Sequence, residues 1–371
     1  MYTAVRCREV MRLMKKQINV GGVKIGGGAP VTIQSMTNTK TSDVPATAAQ
    51  INRLAGLGCD IVRVAVPDMA SADAIGEIKK HINVPLVADI HFDYKLAIRA
   101  AELGADKLRI NPGNIGDSDK VRAIVEVCVK KGIPIRVGVN GGSIGKDLVA
   151  KHGGVTPEAL YECAIEHIWL LNSFYFDNIC VSVKASNVPL TIAAYKLLSK
   201  RTEYPLHLGV TEAGTEYTGI IKSSIGIGAL LAEGIGDTIR VSLTASPERE
   251  VAAAMAILKS LGLRKGYELI SCPTCGRCGI DLIPIAQEVE RRLASMWEKN
   301  DAAPRGNRSI SVAVMGCSVN GPGEASRADY GIAGGDGEGL LFKKGEICKK
   351  VPMDRLVDEL LALVESEEDT Y

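Results

Sequence analysis

The sequence predicts an α/β protein: a parallel (β/α)8 barrel of the TIM type followed by a smaller α/β domain. Three observations carry this. Short apolar, β-branched runs recur eight times between residues 31 and 244, with starts 22 to 44 residues apart. Helical patterns fill the gaps, which implies parallel βα units, and eight such units imply a closed barrel. Beyond residue 262 the spacing changes and thiols at C-x-x-C spacing appear. The barrel is assigned to residues 1–262 and the second domain to residues 266–371.

In chain order, Val20-Gly21-Gly22-Val23 reads as a hairpin placed to plug the N-terminal mouth of the barrel. The eight strand runs are Val31–Thr37, Ile61–Val66, Pro85–His91, Lys107–Asn111, Pro134–Asn140, Asn178–Lys184, Pro205–Thr211 and Asp237–Thr244. Helices are expected between them, for example at Thr47–Leu57, Tyr94–Leu103 and Lys120–Lys131, and a last barrel helix at Pro247–Leu261. A doubly wound sheet is the rival architecture. It needs a glycine-rich phosphate turn after its first strand, whereas Gly26-Gly27-Gly28 precedes the first run here. Gly262–Gly266 reads as a linker. The second domain then alternates a strand at Tyr267–Ile270, a helix from about Ile280 to Lys299, strands at Ser309–Met315 and Tyr330–Ala333, a hairpin through Leu340–Val351 and a helix at Met353–Glu365.

Composition narrows the function classes. Hydrophobic residues make up 46% of the 371, ample for a packed core, while 44 Lys and Arg against 43 Asp and Glu leave a net charge of +1. That balance offers no field for nucleic acid or an anionic membrane. No apolar run is long enough to span a bilayer, and the N-terminus lacks an apolar signal core, so a cytoplasmic protein with reduced thiols is expected. Cys7, Cys59, Cys128, Cys163 and Cys180 are scattered without ligand spacing and read as inert core thiols.

The barrel runs finish in polar residues, and in this architecture the C-terminal strand ends form the active face. Arg109, Arg136, Lys184 and Arg240 would set four cations around one mouth, with Asp89 and Glu212 as the counterions at strand ends. Arg63 ends another run. Cations so placed repel one another unless an anion lies between them, and guanidinium groups match phosphate oxygens in pairs. A phosphorylated substrate follows, although any single arginine could equally be a structural ion pair. His91 shares a strand face with Asp89. His81, His152 and His167 read as solvated, and His207 as an interior strand residue.

The second domain carries Cys272 and Cys275 in Ser271-Cys272-Pro273-Thr274-Cys275-Gly276-Arg277-Cys278, and Cys317 in Gly316-Cys317-Ser318-Val319-Asn320-Gly321-Pro322-Gly323-Glu324. Soft thiolates in this pattern suit an iron–sulfur cluster or zinc. Cys278 or Glu324 could complete the set, and the spacing leaves both open. A zinc-stapled barrel enzyme and a non-enzymatic electron carrier are the competing readings; metal content separates the first, and the cation-ringed mouth argues against the second.

Taken together, these residues resemble the bacterial 4-hydroxy-3-methylbut-2-enyl diphosphate synthase family over essentially the whole chain. The resemblance rests on Ile33-Gln34-Ser35-Met36-Thr37-Asn38, Ala88-Asp89-Ile90-His91-Phe92, Arg109-Ile110-Asn111-Pro112-Gly113-Asn114, Arg136-Val137-Gly138-Val139-Asn140, Ser182-Val183-Lys184-Ala185-Ser186, Gly209-Val210-Thr211-Glu212-Ala213-Gly214 and the two cysteine motifs. It implies a short two-domain form, with a sulfite/nitrite-reductase-like domain holding a [4Fe-4S] cluster on Cys272, Cys275, Cys317 and Glu324, and with Cys278 a bystander. It implies reductive ring opening and dehydroxylation of 2-C-methyl-D-erythritol 2,4-cyclodiphosphate, with flavodoxin or ferredoxin as electron donor. The resemblance further implies a head-to-tail homodimer whose active site is shared between subunits. In that picture Arg63, Arg109, Arg136 and Lys184 hold the diphosphate, Asp89, His91, Asn140 and Ser186 orient the substrate, Glu212 donates a proton, and Glu324 is the exchangeable cluster ligand.

Overall fold

The structure, a computed structural model, describes residues 15–299, 309–317, 327–335 and 337–366. The chain divides into two compact units, Met1–Leu263 and Arg264–Tyr371.

The first unit opens on a two-stranded hairpin, β1 (Ile18–Val20) and β2 (Val23–Ile25). Its turn is Gly21-Gly22 with φ of 55° and 98°, a left-handed pair that a side chain would strain. Ile18, Val20 and Ile25 pack against Ile61, Val87 and Cys180, at the N-terminal ends of three barrel strands, so the hairpin forms an apolar floor. The barrel strands are β3 (Thr32–Met36), β4 (Ile61–Ala65), β5 (Leu86–Asp89), β6 (Lys107–Ile110), β7 (Ile135–Asn140), β8 (Ile179–Lys184), β9 (His207–Leu208) and β10 (Thr238–Ile239). All pair in parallel in the order β8-β7-β6-β5-β4-β3-β10-β9, and a parallel bridge between Val181 and Leu206 joins the two ends. The last two ladders are shorter than the runs that predicted them. Extended backbone nevertheless continues beyond them, with Arg240 N–H donating to the Leu208 carbonyl at 3.0 Å and Thr211 N–H to that of Ala185 at 3.3 Å.

Period-two alternation sorts the strand residues. Ile33, Val62, Val64, Ala88, Leu108, Ile110, Val137, Val139, Val181 and Val183 face outward into the core beneath the helices. The intervening positions face the barrel axis and are largely polar: Gln34, Arg63, Asp89, Lys107, Arg109, Arg136, Lys184, His207 and Thr238, all buried. Most barrel helices start on an Asp, Asn or Thr cap, as at Asp43, Asp68, Asp93, Asp117, Thr156 and Asn187. The strands are thereby released at their C-terminal ends into short loops, and those ends collect the polar side chains.

The second unit is a five-stranded sheet in the order β11 (Tyr267–Ser271), β12 (Ile310–Met315), β13 (Tyr330–Gly334), β14 (Glu338–Lys343) and β15 (Glu346–Pro352). The first three are parallel and the last two antiparallel. Helices Leu282–Lys299 and Leu356–Ser366 cover one face through Leu282, Val289, Leu293, Leu356, Leu360 and Val364 against Val312, Val314, Ile332 and Leu341. Alternate residues Ala313, Met315, Ala333 and Phe342 form a smaller cluster on the other face. No described helix is long and apolar enough to cross a membrane.

Candidate functional site

Strands β4 to β8 bring Arg63, Asp89, Arg109, Arg136 and Lys184 to neighbouring positions, with Asp89 and Lys184 last in their strands and Arg136 second in β7. Asp89 is the register partner of Arg109, and Arg109 that of Arg136; one level further up, Asn140 is the partner of Lys184. Arg109 Nη1 donates to Asp89 Oδ1 at 3.1 Å, and Arg63 Nε lies 3.8 Å from Asp89 Oδ2. Arg63 also directs Nε and Nη2 at the Met36 sulfur, at 3.2 and 3.0 Å. His91 stands at the rim, half exposed, with Nε2 3.4 Å from Asp89 Oδ2 and 3.3 Å from Arg109 Nη1.

One carboxylate therefore serves several cations. Burial alone would raise the Asp89 carboxyl. Arg63, the His91 hydrogen bond and Arg109 outweigh it and hold Asp89 ionised, far below the usual carboxylate range. The cations show the converse. Burial and then the neighbouring Arg109 lower Arg136 to about 10. Lys184 is pushed well below its ordinary value by burial and then by Arg136, Arg63, Arg240 and Arg109. Arg136 is 1% exposed, and its Nε and Nη1 have no partner among the described residues; Arg109 Nε has none either. The Lys184 ammonium makes no hydrogen bond or ion pair with a described residue. Such a set is costly while empty and is relieved by a multivalent anion.

Three expectations are corrected here. Arg240 does not stand free at the mouth: Glu250, from the helix Pro247–Ser260, receives its Nε and Nη2 at 3.3 Å and also accepts from Ser35 Oγ at 3.1 Å. Glu212 is not a counterion. It is exposed, has no partner among the described residues, and occupies the left-handed region at φ 51°. Ser186 is exposed just beyond β8, and Asn140 caps the turn Gly141–Ser143 through its backbone, with its N–H donating to Ser143 Oγ at 3.2 Å. His167 is half-buried rather than solvated, and burial lowers its ring to about 4.

Several contributors escaped sequence reasoning. Met36, inside a motif but given no role there, and Glu250, outside any motif, both hold arginines. Gly138 faces inward on β7, where a Cβ would stand 2.5 Å from Arg109 Nε. At Gly209 a Cβ would stand 2.5 Å from Lys184 Nζ and 2.7 Å from the Arg240 carbonyl oxygen. The two long cations cross the barrel through spaces that only glycine leaves open. The signal was present, since both glycines sit at inward positions of otherwise β-branched runs.

In the second unit the thiols gather at the C-terminal ends of adjacent parallel strands. Cys272 follows β11 and Cys317 lies two residues past β12. Gly316 N–H donates to Cys272 Sγ at 3.2 Å, and Gly279 N–H to the Gly316 carbonyl at 2.9 Å. Cys275 is exposed, and its thiol is lowered first by the Arg277 backbone N–H and then by that residue's side chain. Cys278 is half-buried, donates from Sγ to the Ile280 carbonyl at 3.2 Å, and fills the space where a Gly316 side chain would point. Among the described residues no three Cys, His, Asp or Glu side chains are arranged around a single metal position. Glu324 lies outside the described residues, as does Cys7.

Comparison with known proteins gives a consistent match at both ends of the chain. Residues 15–255 match the GcpE TIM-barrel domain and residues 268–366 the GcpE protein C-terminal domain. A 4-hydroxy-3-methylbut-2-en-1-yl diphosphate synthase (flavodoxin) of Caldicellulosiruptor saccharolyticus is 59% identical, covering 94% of this chain and 97% of that protein. Enzymes of the same name from Caldanaerobacter subterraneus and Geobacter sulfurreducens are 57% and 55% identical, each covering 96% of this chain and 98% of theirs.

Proposed function

Because the chain belongs to the GcpE family and is a 4-hydroxy-3-methylbut-2-en-1-yl diphosphate synthase of isoprenoid biosynthesis, an oxidoreductase, we propose that its barrel mouth binds 2-C-methyl-D-erythritol 2,4-cyclodiphosphate. Arg63, Arg109, Arg136 and Lys184 hold the diphosphate, and Asp89, His91, Asn140 and Ser186 orient it. The observation that carries this reading is the buried cation set with a single carboxylate, Asp89, among it. A diphosphate supplies the missing negative charge, and its oxygens match the unpartnered Nε and Nη1 donors of Arg136 and Nε of Arg109. Asp89 keeps Arg109 aimed, and His91 guards the rim above it.

Glu212 is the proposed proton donor. A carboxylate held in the left-handed region costs about 1–3 kcal/mol and persists where the surroundings impose it, a situation concentrated at functional sites. From there it would deliver a proton to the departing hydroxyl, which leaves as water.

Cys272, Cys275 and Cys317, with Glu324, would hold a [4Fe-4S] cluster. The donor set fits: soft sulfur ligands at the ends of adjacent strands, one already accepting a backbone N–H and another with a lowered thiol. When bound, such a cluster supplies the electrons of the reduction. Flavodoxin, which the relatives' names carry, or a ferredoxin would be the reductant. The working unit in this reading is a cytoplasmic head-to-tail homodimer, in which the cluster domain (266–371) of one copy serves the barrel (1–262) of the other. The test is anaerobic preparation with iron and sulfide assay, followed by turnover of the cyclodiphosphate with a strong reductant. A colourless protein with stoichiometric zinc and no turnover would overturn the reading.

A further inference from the structure

Below the mouth, between the arginines and the apolar hairpin floor, the barrel holds a second group of polar side chains. Lys107 opens β6 and is 0% exposed, and its Nζ has no partner among the described residues. His207 on β9 is 0% exposed; its Nδ1 lies 3.4 Å from Thr238 Oγ1, and its Nε2 is unpartnered. Gln34 on β3 is 1% exposed, and neither its amide atoms nor Thr32 Oγ1 has a partner among the described residues.

Charge and donor chemistry both point one way. The charged groups acting on Lys107 are Arg136 and Arg63, and the buried Cys180 thiol beside it is held neutral by burial. The largest charges on His207 are Arg136, Lys184 and Lys107. In the tautomer whose Nδ1 accepts from the Thr238 hydroxyl, His207 presents Nε2–H as a donor. Among the described residues, the side chains named here offer donors from an ammonium, an imidazole and an amide, and acceptors from the Gln34 carbonyl and the Thr32 hydroxyl. Water must donate two protons for the two bonds it accepts, so a donor-rich cell serves it poorly and serves an anion well. The floor of Ile18, Val20, Ile25, Ile61 and Val87 excludes solvent from below.

We propose that this lower cell is a binding site for a small inorganic anion of the halide class, held by Lys107 and His207. The anion neutralises the inner cations and lets them remain charged beneath the mouth. The site requires no substrate, so it stands or falls independently of the diphosphate reading.

The probe is bromide. In crystals of the full chain soaked in sodium bromide without substrate, anomalous scattering should show one peak within hydrogen-bonding reach of Lys107 Nζ and His207 Nε2. Ordered water there, or no peak, overturns the proposal. In solution, bromide should raise the Tm by several degrees more than gluconate at equal ionic strength, and Lys107→Met should abolish that difference. An undiminished bromide effect in Lys107→Met refutes the site; should that variant not fold, His207→Gln is measured in its place with the same expectation.

Discussion

Replacing Gly138 by alanine tests how the mouth is built. A Cβ at this position would stand 2.5 Å from Arg109 Nε, 3.1 Å from Nη2 and 3.2 Å from Cζ. Ordinary contact needs about 3.5 Å, so the guanidinium must retreat by roughly 1 Å. Its Nη1 hydrogen bond to Asp89, 3.1 Å long, is drawn out of range by a displacement of that size. A charge-assisted hydrogen bond of this kind contributes about 1.5–3 kcal/mol, which converts to a roughly 10- to 150-fold loss of substrate affinity if Arg109 grips the diphosphate. Folding should suffer little. Gly138 does not have a positive φ, the clashing atoms belong to a flexible side chain, and alanine restricts the unfolded chain. The assay is calorimetric titration of the cyclodiphosphate into iron-loaded Gly138→Ala, Arg109→Ala and the double variant, with iron content and Tm measured alongside. The expected result is weakened binding at unchanged iron and nearly unchanged Tm, with Gly138→Ala costing nothing further once Arg109 is removed. Wild-type affinity, or an equal cost in the Arg109→Ala background, would refute the claim that Gly138 acts through Arg109.

Four further outcomes are expected. Arg136→Met keeps the buried stem but removes the guanidinium, so substrate affinity should fall about 10- to 100-fold while iron content holds; loss of iron would instead mark a folding role, read by metal assay. Cys317→Ser should abolish brown colour and iron together, whereas Cys278→Ser should retain both, because Cys278 is engaged with the Ile280 carbonyl; the reverse pattern, read by absorbance, overturns the ligand set. Glu212→Gln should lower kcat with KM little changed, and near-full turnover with an artificial reductant would remove Glu212 as proton donor. The Asp89 carboxyl is depressed in the folded state, so its stabilising contribution is present above the unfolded value of about 3.9 and is lost as pH falls below it. Asp89→Asn should therefore reduce stability at neutral pH and flatten its decline in acid, as followed by denaturant melts between neutral and acidic pH.

Much of the architecture was legible because it follows from period and punctuation. Each of the eight barrel strands falls within an apolar run, the Val20–Val23 hairpin forms where two glycines allow left-handed backbone, and Asp or Asn caps start helices just beyond several strand ends. The inward polar positions were legible for the same reason: alternation fixes which face Arg63, Asp89, Arg109, Arg136 and Lys184 occupy once their strands are placed. The motifs at those strand ends, together with the cysteine spacing, carried the family resemblance that the whole-chain matches then established.

Partnership was what the linear order could not contain. Arg240 and Glu250 are ten residues apart in a strand and a helix, and only the return of that helix onto β3 turns a supposed free cation into a neutralised one. Glu212 looked like a counterion by position along its strand, yet a left-handed backbone turn leaves it exposed. Gly138 and Gly209 matter through side chains that begin on neighbouring strands. Local periodicity specifies elements and faces because it is a property of consecutive residues. Which charges meet depends on barrel closure, and closure belongs to the tertiary fold.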